Sequence, residues 1–353
     1  MVIAASGRML AKQLQQAGFR PLVIDLFADQ DTCQIADDIR KVHALTVEEI
    51  SPAIDELQQI YPVKNVIYGS GFEKHPQTLF FLQDKFNLLG NAPEVFKKAQ
   101  DKAGLFEVLS KQNIRFPEVS FSRPDSGVWL FKPFQSEGGC GIFVDNFDDN
   151  HHQQGYWQQY QPGEVVSAVF FADGKNAEII GFNRQWSIIL ERGQEFVFSG
   201  VCNQAEISAK NQRIIAEWVA ALTAHFGLKG INGIDFIVHQ NQCYFLEINP
   251  RPTASVELYP AELVAAHAGW WSKKTIVRNQ ISGYQIIYAK ADCRIPEKIE
   301  WSRWVQDRPK CNTIIHKYQP LCSIIASGVD SDQVLSVLAA RQKIVENIFQ
   351  KET

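Results

Sequence analysis

The chain has 353 residues, 45% of them apolar and 21% charged, which suits two or three folded domains and excludes a disordered chain. Its 35 Lys plus Arg stand against 39 Asp plus Glu, a formal charge of −4 with no long basic run, so no nucleic acid partner is expected. Seven cysteines, at 33, 140, 202, 243, 293, 311 and 322, form no C-x-x-C pair, and no run of eighteen apolar residues occurs, so the expectation is a cytoplasmic protein with reduced thiols that neither spans a membrane nor is exported.

The opening VIAAS, RMLAKQLQQAG and PLVIDLF reads as strand, helix and strand, the helix stopped by Gly18 and the second strand ending at Asp25. With the helix-period run VEEISPAIDELQQI and the apolar VKNVIYGSGFE, residues 1–95 are predicted to form a doubly wound parallel-sheet α/β domain. Gly69 and Gly71 stand where a strand ends, the edge at which such sheets hold ligands. The loop GSGFE, with Gly71 and Glu73, is therefore either a pocket wall or a turn that needs glycine. It completes neither G-x-G-x-x-G nor GK[ST], which excludes the dinucleotide fingerprint and the P-loop.

NAPEVFKKAQDKAGLFEVLSKQNIRFP is predicted as an amphipathic helical stretch. Beyond it come VWLFKPF, GIFVD, VVSAVFFADG, AEIIGFNRQW, GINGIDFIV and CYFLEIN, with the helix NQRIIAEWVAALTAHFG between the fourth and fifth, an α+β pattern of mainly antiparallel strands. From about residue 285 follow YQIIYAK, PLCSIIAS and a closing helix, SDQVLSVLAARQKIVENIF. No internal repeat is present.

Two constellations carry chemistry. GINGIDFIVHQNQCYFLEINPRP reads as a hairpin turning around Gln240 to Gln242; placing Asp235 opposite Glu247 leaves a three-residue connection or a bulge near the turn. Two carboxylates and the Asn249 amide would then meet, and a hard divalent cation relieves their repulsion. Mg2+ shares its sphere with water and substrate phosphates, so a nucleotide is implied, and Arg251 is placed to reach a phosphoryl or carboxylate group. In VWLFKPFQSEGGCGIFV, Lys132 ends an apolar strand before a loop containing Gly138, Gly139 and Gly141, whose backbone N–H groups can close over phosphates. The segment RQW, Arg184 to Trp186, is either an acceptor contact or a surface stack, and the eight histidines show no metal-ligand spacing.

Asp101 and Lys102, WLFKPFQSEGGCGI, YWQQYQPGE, GIDFI and LEINPRP, in this order, resemble the motifs of the ATP-grasp superfamily over about residues 1–270. SGRMLAKQLQQAGFRPLVIDLFADQDT, YGSGFE, LLGNAPE and EINPRPTASVELY further resemble a subgroup of predicted ATP-dependent carboligases related to biotin carboxylase, some of which accompany methanopterin-linked one-carbon genes. The resemblance implies an N-terminal domain over 1–95, an ATP-clamping subdomain with a glycine-rich flap over 96–160, a second with the metal site over 161–285, and a β/α extension over 286–353.

By the same resemblance, Lys102 and Lys132 contact ATP phosphates beneath a flap of Ser136, Gly138, Gly139 and Gly141. Gln159, Tyr160 and Gln161 line the adenine, where a glutamate is more usual, and Glu164 takes the ribose. Asp235, Glu247 and Asn249 hold Mg2+ and Arg251 steadies an acyl phosphate, while Tyr244, Leu246 and Ile248 pack into the core. The implied enzyme is a C–N ligase of small molecules, compatible with a homodimer. A carboxylate attacks the γ-phosphate of Mg-ATP and an amine then displaces phosphate, glutamate or another amino acid being a plausible substrate. A carboxylase working through carboxyphosphate is the rival, since VELYPAE at 256–262 faintly resembles V-E-H-x-V-T-E of biotin carboxylases, with Glu257 as the bicarbonate base. Leu258 in the histidine position, and one extra residue between Arg251 and Glu257, count against it. A nucleotide-binding subunit without turnover would show degraded lysines or metal ligands, and none is degraded.

Overall fold

The computed structural model describes residues 1–145, 154–269 and 280–350. The first layer is a parallel sheet of β1 (Val2–Ile3), β2 (Leu22–Asp25), β3 (Asp38–Lys41), β4 (Asn65–Tyr68) and β5 (Asn87–Leu89), in the order β3-β2-β1-β4-β5. Between the strands run α1 (Arg8–Gln16), α2 (Gln30–Ile35), α3 (Val47–Ile60) and α4 (Pro76–Lys85). Strand order reverses between β1 and β4, so the loops that follow them share the crevice where such sheets hold ligands. The helix α3 matches its prediction: the Thr46 hydroxyl accepts the Glu49 N–H at 3.4 Å, and Ile50, Ala53, Ile54 and Leu57 form its buried stripe. By contrast α2 and β3 carry little sequence signal, since β3 is the polar edge strand DIRK.

The helical stretch predicted after residue 90 is two helices, α5 (Pro93–Gln100) and α6 (Lys102–Lys111), so the expected boundary at 95 falls inside α5. They part at Asp101, whose ψ of 101° lies outside the helical range, and the break leaves Lys102 buried at the start of α6. A small antiparallel sheet follows, β6 (Val119–Ser120), β7 (Trp129–Pro133), β8 (Phe143–Val144) and β9 (Gly155–Gln159), in the order β6-β9-β7-β8.

The third layer begins with β10 (Glu164–Asp173), β11 (Ala177–Ile188), β12 (Val197–Asn203), α7 (Ala209–Phe226), β13 (Lys229–His239), β14 (Gln242–Asn249) and α8 (Glu262–His267). It continues through β15 (Ile281–Tyr288), β16 (Cys293–Arg294), β17 (Val305–Gln306), β18 (Ile314–Ile315), β19 (Pro320–Gly328) and α9 (Ser331–Gln350). One antiparallel sheet runs β14-β13-β10-β11-β12-β15-β19-β17. The strand β15 therefore crosses the boundary expected at 285, and the C-terminal residues complete the central sheet rather than hang from it. On one face Val166, Ala168, Phe170, Ile234, Phe236 and Phe245 pack against Ile215, Val219 and Leu222 of α7, a helix capped by the Ser208 hydroxyl and ended by Gly227 at φ 71°. Strand alternation turns Ser167 and Asp235, which lie opposite each other, to the other face.

Two buried charged or titratable groups pin the layers together. Arg8, 1% exposed, pairs with Asp307 at 2.7 Å, Glu257 at 3.0 Å and Asp31 at 3.8 Å, and Asp31 also accepts the N–H groups of Asp307 and Arg308 at 2.9 Å each. His267 of α8 is buried, its Nδ1 accepting the Ile231 N–H at 2.9 Å. Burial lowers its pKa from 6.5 to about 4, so only the unfolded chain takes up this proton between those values, and stability falls as pH falls through that window. From this group alone, unfolding by urea at pH 5 is expected to show a loss of about 2 kcal/mol relative to neutral pH. A His267→Gln variant should lack that part of the pH slope; an unchanged slope would remove the histidine from the account. Among the described residues no helix is long and apolar enough to cross a membrane.

Candidate active site

The β13–β14 hairpin turns on two residues, Gln240 and Asn241, both at positive φ (47° and 58°), so the pairing starts at His239 opposite Gln242. Asp235 does lie opposite Glu247, as predicted, but the extra residue is not near the turn. Phe236 faces Phe245 and Asp235 faces Glu247, so the bulge falls at Leu246, beside the carboxylates. The bulge resets the alternation: Cys243, Phe245 and Ile248 are the core residues, not Tyr244 and Leu246. Tyr244 instead donates its hydroxyl to Gln242 at 3.0 Å with the Arg115 guanidinium 5.6 Å from its ring.

The bulge turns Glu247 and Asn249 to the side of Asp235. The Asn249 amide donates to Asp235 at 3.0 Å and to Glu247 at 3.5 Å, and the Gln185 amide donates to Asp235 at 3.0 Å. Burial and the neighbouring Glu247 push Asp235 well above the usual carboxylate range. Burial would raise Glu247 as well, but Lys102, the hydrogen bond with Asp235, Lys132 and Arg251 outweigh it and hold Glu247 down. Asp235 is thus the member of the pair that favours its proton and Glu247 the one that favours its charge, and a cation between them would let both ionise. Among the described residues no three His, Cys, Asp or Glu side chains converge, so the donors are two carboxylates and one amide that would present its oxygen after a half-turn. That all-oxygen, incomplete set fits Mg2+, which completes its sphere with water and phosphate oxygens.

Two lysines face this pair. Lys102 comes from the start of α6 and Lys132 from the end of β7, where burial and Lys102 lower its pKa to about 8 against the pull of Glu247 and Asp235. Next to Lys132 the glycine-rich loop docks on the edge of β12: the Gly138 carbonyl accepts the Phe198 N–H at 2.8 Å, and the Ile142 carbonyl accepts the Glu195 N–H at 3.3 Å. Gly138, Gly139 and Gly141 all have positive φ (59°, 75° and 75°), and Ser136 donates to the Cys140 carbonyl at 2.5 Å. Arg251, 7% exposed, is gripped by Glu73 of the GSGFE loop at 2.6 Å and approached by Glu137 of the glycine-rich loop at 3.6 Å. Glu73 also accepts the Gly71 N–H at 3.1 Å, and Gly71 has the positive φ of 102° that the turn requires.

β9 ends at Gln159, and Tyr160, whose N–H bonds the Val128 carbonyl at 2.9 Å, and Gln161 cross from the small sheet to the large one. Three other residues fall elsewhere than expected. Glu164 and Arg184 pair with each other at 3.0 Å, both nearly half exposed, on the α7 face rather than the Asp235 face. Glu257 is bound by Arg8 at 3.0 Å and Lys12 at 2.8 Å, with its side chain 4% exposed. In RQW it is Gln185, not Arg184, that reaches the carboxylates. Strand parity could have chosen it, because Ser167 lies opposite both Asp235 and Asn183, which puts 183 and 185 on the carboxylate face. Glu137 had no signal beyond its place in SEGG.

Residues 99–255 match a family described as the ATP-grasp domain. An uncharacterized protein of Methanocaldococcus jannaschii is 25% identical over 260 residues, 68% of this chain and 64% of that protein. Tyramine–L-glutamate ligase of the same organism is 32% identical over 118 residues, 33% of this chain and 34% of that enzyme. The chain thus spans less than two thirds of either relative. Among solved structures, biotin carboxylase of Campylobacter jejuni superposes with a TM-score of 0.73 at 15% identity, covering 95% of this chain and 89% of that one, a likeness of fold.

Proposed function

From the match of residues 99–255 to the ATP-grasp domain, we propose that the chain is an ATP-dependent ligase that activates a carboxylate as an acyl phosphate and joins it to an amine. The observation that carries this reading is the meeting of Lys102 and Lys132 with the Asp235, Glu247 and Asn249 donors beneath a glycine-rich loop, beside a buried Arg251. Lys102, Lys132 and the backbone N–H groups around Ser136, Gly138, Gly139 and Gly141 would bind the triphosphate, with Gln159, Tyr160 and Gln161 along the adenine. Asp235, Glu247 and Asn249 would hold Mg2+, which when bound supplies positive charge against the phosphate oxygens. Arg251 would steady the acyl phosphate while Glu73 fixes the guanidinium. Most of the rate enhancement would come from positioning and charge stabilisation.

Amide formation is favoured over carboxylation by the state of Glu257. A carboxylate clamped between Arg8 and Lys12 is poorly available as a base for bicarbonate. Amino acids, glutamate among them, are the first donors to try. ADP release screened over amino acid and amine pairs, and over bicarbonate alone, tests the reading; bicarbonate-stimulated release with no active carboxylate and amine pair would overturn it. A second measurement concerns the phosphate contacts. Lys132→Ala should weaken ATP binding roughly tenfold to a hundredfold, the equivalent of about 1.5 to 3 kcal/mol for a hydrogen bond to a charged group. Calorimetry showing unchanged affinity would return Lys132 to a packing role.

A further inference from the structure

The ligase reading leaves one step without a residue: an amine arrives as an ammonium and must lose a proton before it can attack. We infer that Glu137, carried by the glycine-rich loop, is the base that takes this proton, an assignment that rests on the ligase reading above. Two carboxylates flank the single guanidinium of Arg251, and they are not equivalent. Glu73 is used up, one oxygen on Nε of Arg251 at 2.6 Å and the other on the Gly71 N–H at 3.1 Å. Glu137 has a hydrogen bond with Ser70 and a longer contact to Nη2 at 3.6 Å, with a side chain still 30% exposed, so a substrate can reach it.

The groups facing Glu137 are Glu73, Lys74 and the Ser70 hydroxyl from the loop after β4, Arg251 from the end of β14, and Cys140 from its own loop. Burial and Glu73 push it up to about 7, against the opposing pull of Arg251, Ser70 and Lys74. A base with a pKa near the working pH is unprotonated often enough to act and basic enough to accept. In the step itself, the Glu137 carboxylate removes one proton from the ammonium, and the freed nitrogen lone pair forms the C–N bond at the acyl carbon. The bond from that carbon to the phosphate oxygen breaks with its electron pair, and the second nitrogen proton leaves with the departing phosphate. The docked loop brings the base to Arg251, so proton removal would be coupled to closure.

The test compares two acceptors with the full chain and with Glu137→Gln. Hydroxylamine is already unprotonated at neutral pH; a primary alkylamine such as tyramine is not. The carboxylate donor is first found by screening the common amino acids for ADP release with hydroxylamine. With that donor, Glu137→Gln should lose roughly a hundredfold in turnover with tyramine, together with the inflection near neutral pH. It should stay within about twofold of the parent with hydroxylamine. Equal losses with both acceptors, or a tyramine pH profile that keeps its inflection, would overturn the assignment. No ADP release by the parent chain with any donor would instead sink the ligase reading, and the role of Glu137 with it.

Discussion

Glu247→Gln is expected to abolish turnover, by more than about a thousandfold, and to leave the fold intact. The charge arrangement around Glu247 gives both halves of this result. Lys102, Lys132 and Arg251 favour the charged form of Glu247 while burial and Glu247 favour the neutral form of Asp235, so Glu247 supplies most of the negative charge of the cation site. A glutamine keeps the shape but removes the charge that a divalent cation needs, and losing that cation's stabilisation of phosphoryl transfer is worth several kcal/mol, about 4 for three decades of rate. The same change takes one carboxylate from Lys102 and Lys132 but keeps the side-chain shape and an oxygen for the Asn249 amide, so without nucleotide the variant should still fold cooperatively and melt somewhat below the parent. In the parent, Mg2+ with ADP should raise the melting temperature, and in the variant that increment should shrink. Near-normal magnesium-dependent ATP consumption by Glu247→Gln would show the metal assignment to be wrong.

Gly139→Ala should be nearly as damaging, for a reason of space. A Cβ at Gly139 would overlap the carbonyl oxygen of Phe196 and stand 2.9 Å from its carbonyl carbon, backbone atoms that no rotamer change can move. At Gly138, one residue earlier and equally at positive φ, an added Cβ meets nothing within 4 Å. Both alanines carry a left-handed penalty of about 1 to 2 kcal/mol, but only the one at 139 holds the loop off β12. Displacing a positioning loop by about an ångström costs on the order of a hundredfold, and with the backbone penalty the total is roughly a thousandfold. Gly138→Ala should lose about tenfold. Hydrogen exchange at residues 137–142 reads the same contrast directly. If the two alanines proved equal in rate and in protection, closure over β12 would be irrelevant to turnover.

Elements with a strong period were legible in the sequence. VEEISPAIDELQQI is α3 residue for residue, and the register of Asp235 opposite Glu247 follows from the need of two carboxylates and an amide to share a face. What escaped depends on events of one residue. The bulge at Leu246 reverses which of Tyr244 and Phe245 is buried, and both are large aromatics, so hydrophobicity cannot distinguish them. The helix break at Asp101 hides inside a continuous amphipathic pattern, yet it places Lys102. Glu164, expected by resemblance at the ribose, and Arg184, expected as an acceptor contact or a surface stack, pair with each other across neighbouring strands, a contact that neither segment announces alone. The Glu73–Arg251–Glu137 contact joins three loops, and no periodicity reports on it.

The pairing of Arg8 with Asp307 has a consequence for the order in which the molecule is made. The two residues are 299 positions apart, so at about 5 to 20 residues per second Arg8 leaves the ribosome roughly 15 to 60 s before the carboxylate that meets it. Over that interval the first sheet can assemble, but the guanidinium that ends buried has only Asp31 and later Glu257 to pair with, and Asp31 lacks the two backbone N–H groups of residues 307 and 308. The α2 segment should then remain open to protease on nascent chains stalled before residue 307 and close once residue 308 has emerged. A segment made late would thus close a clasp on one made much earlier, and a pause in translation between the two would lengthen the time the first sheet spends exposed.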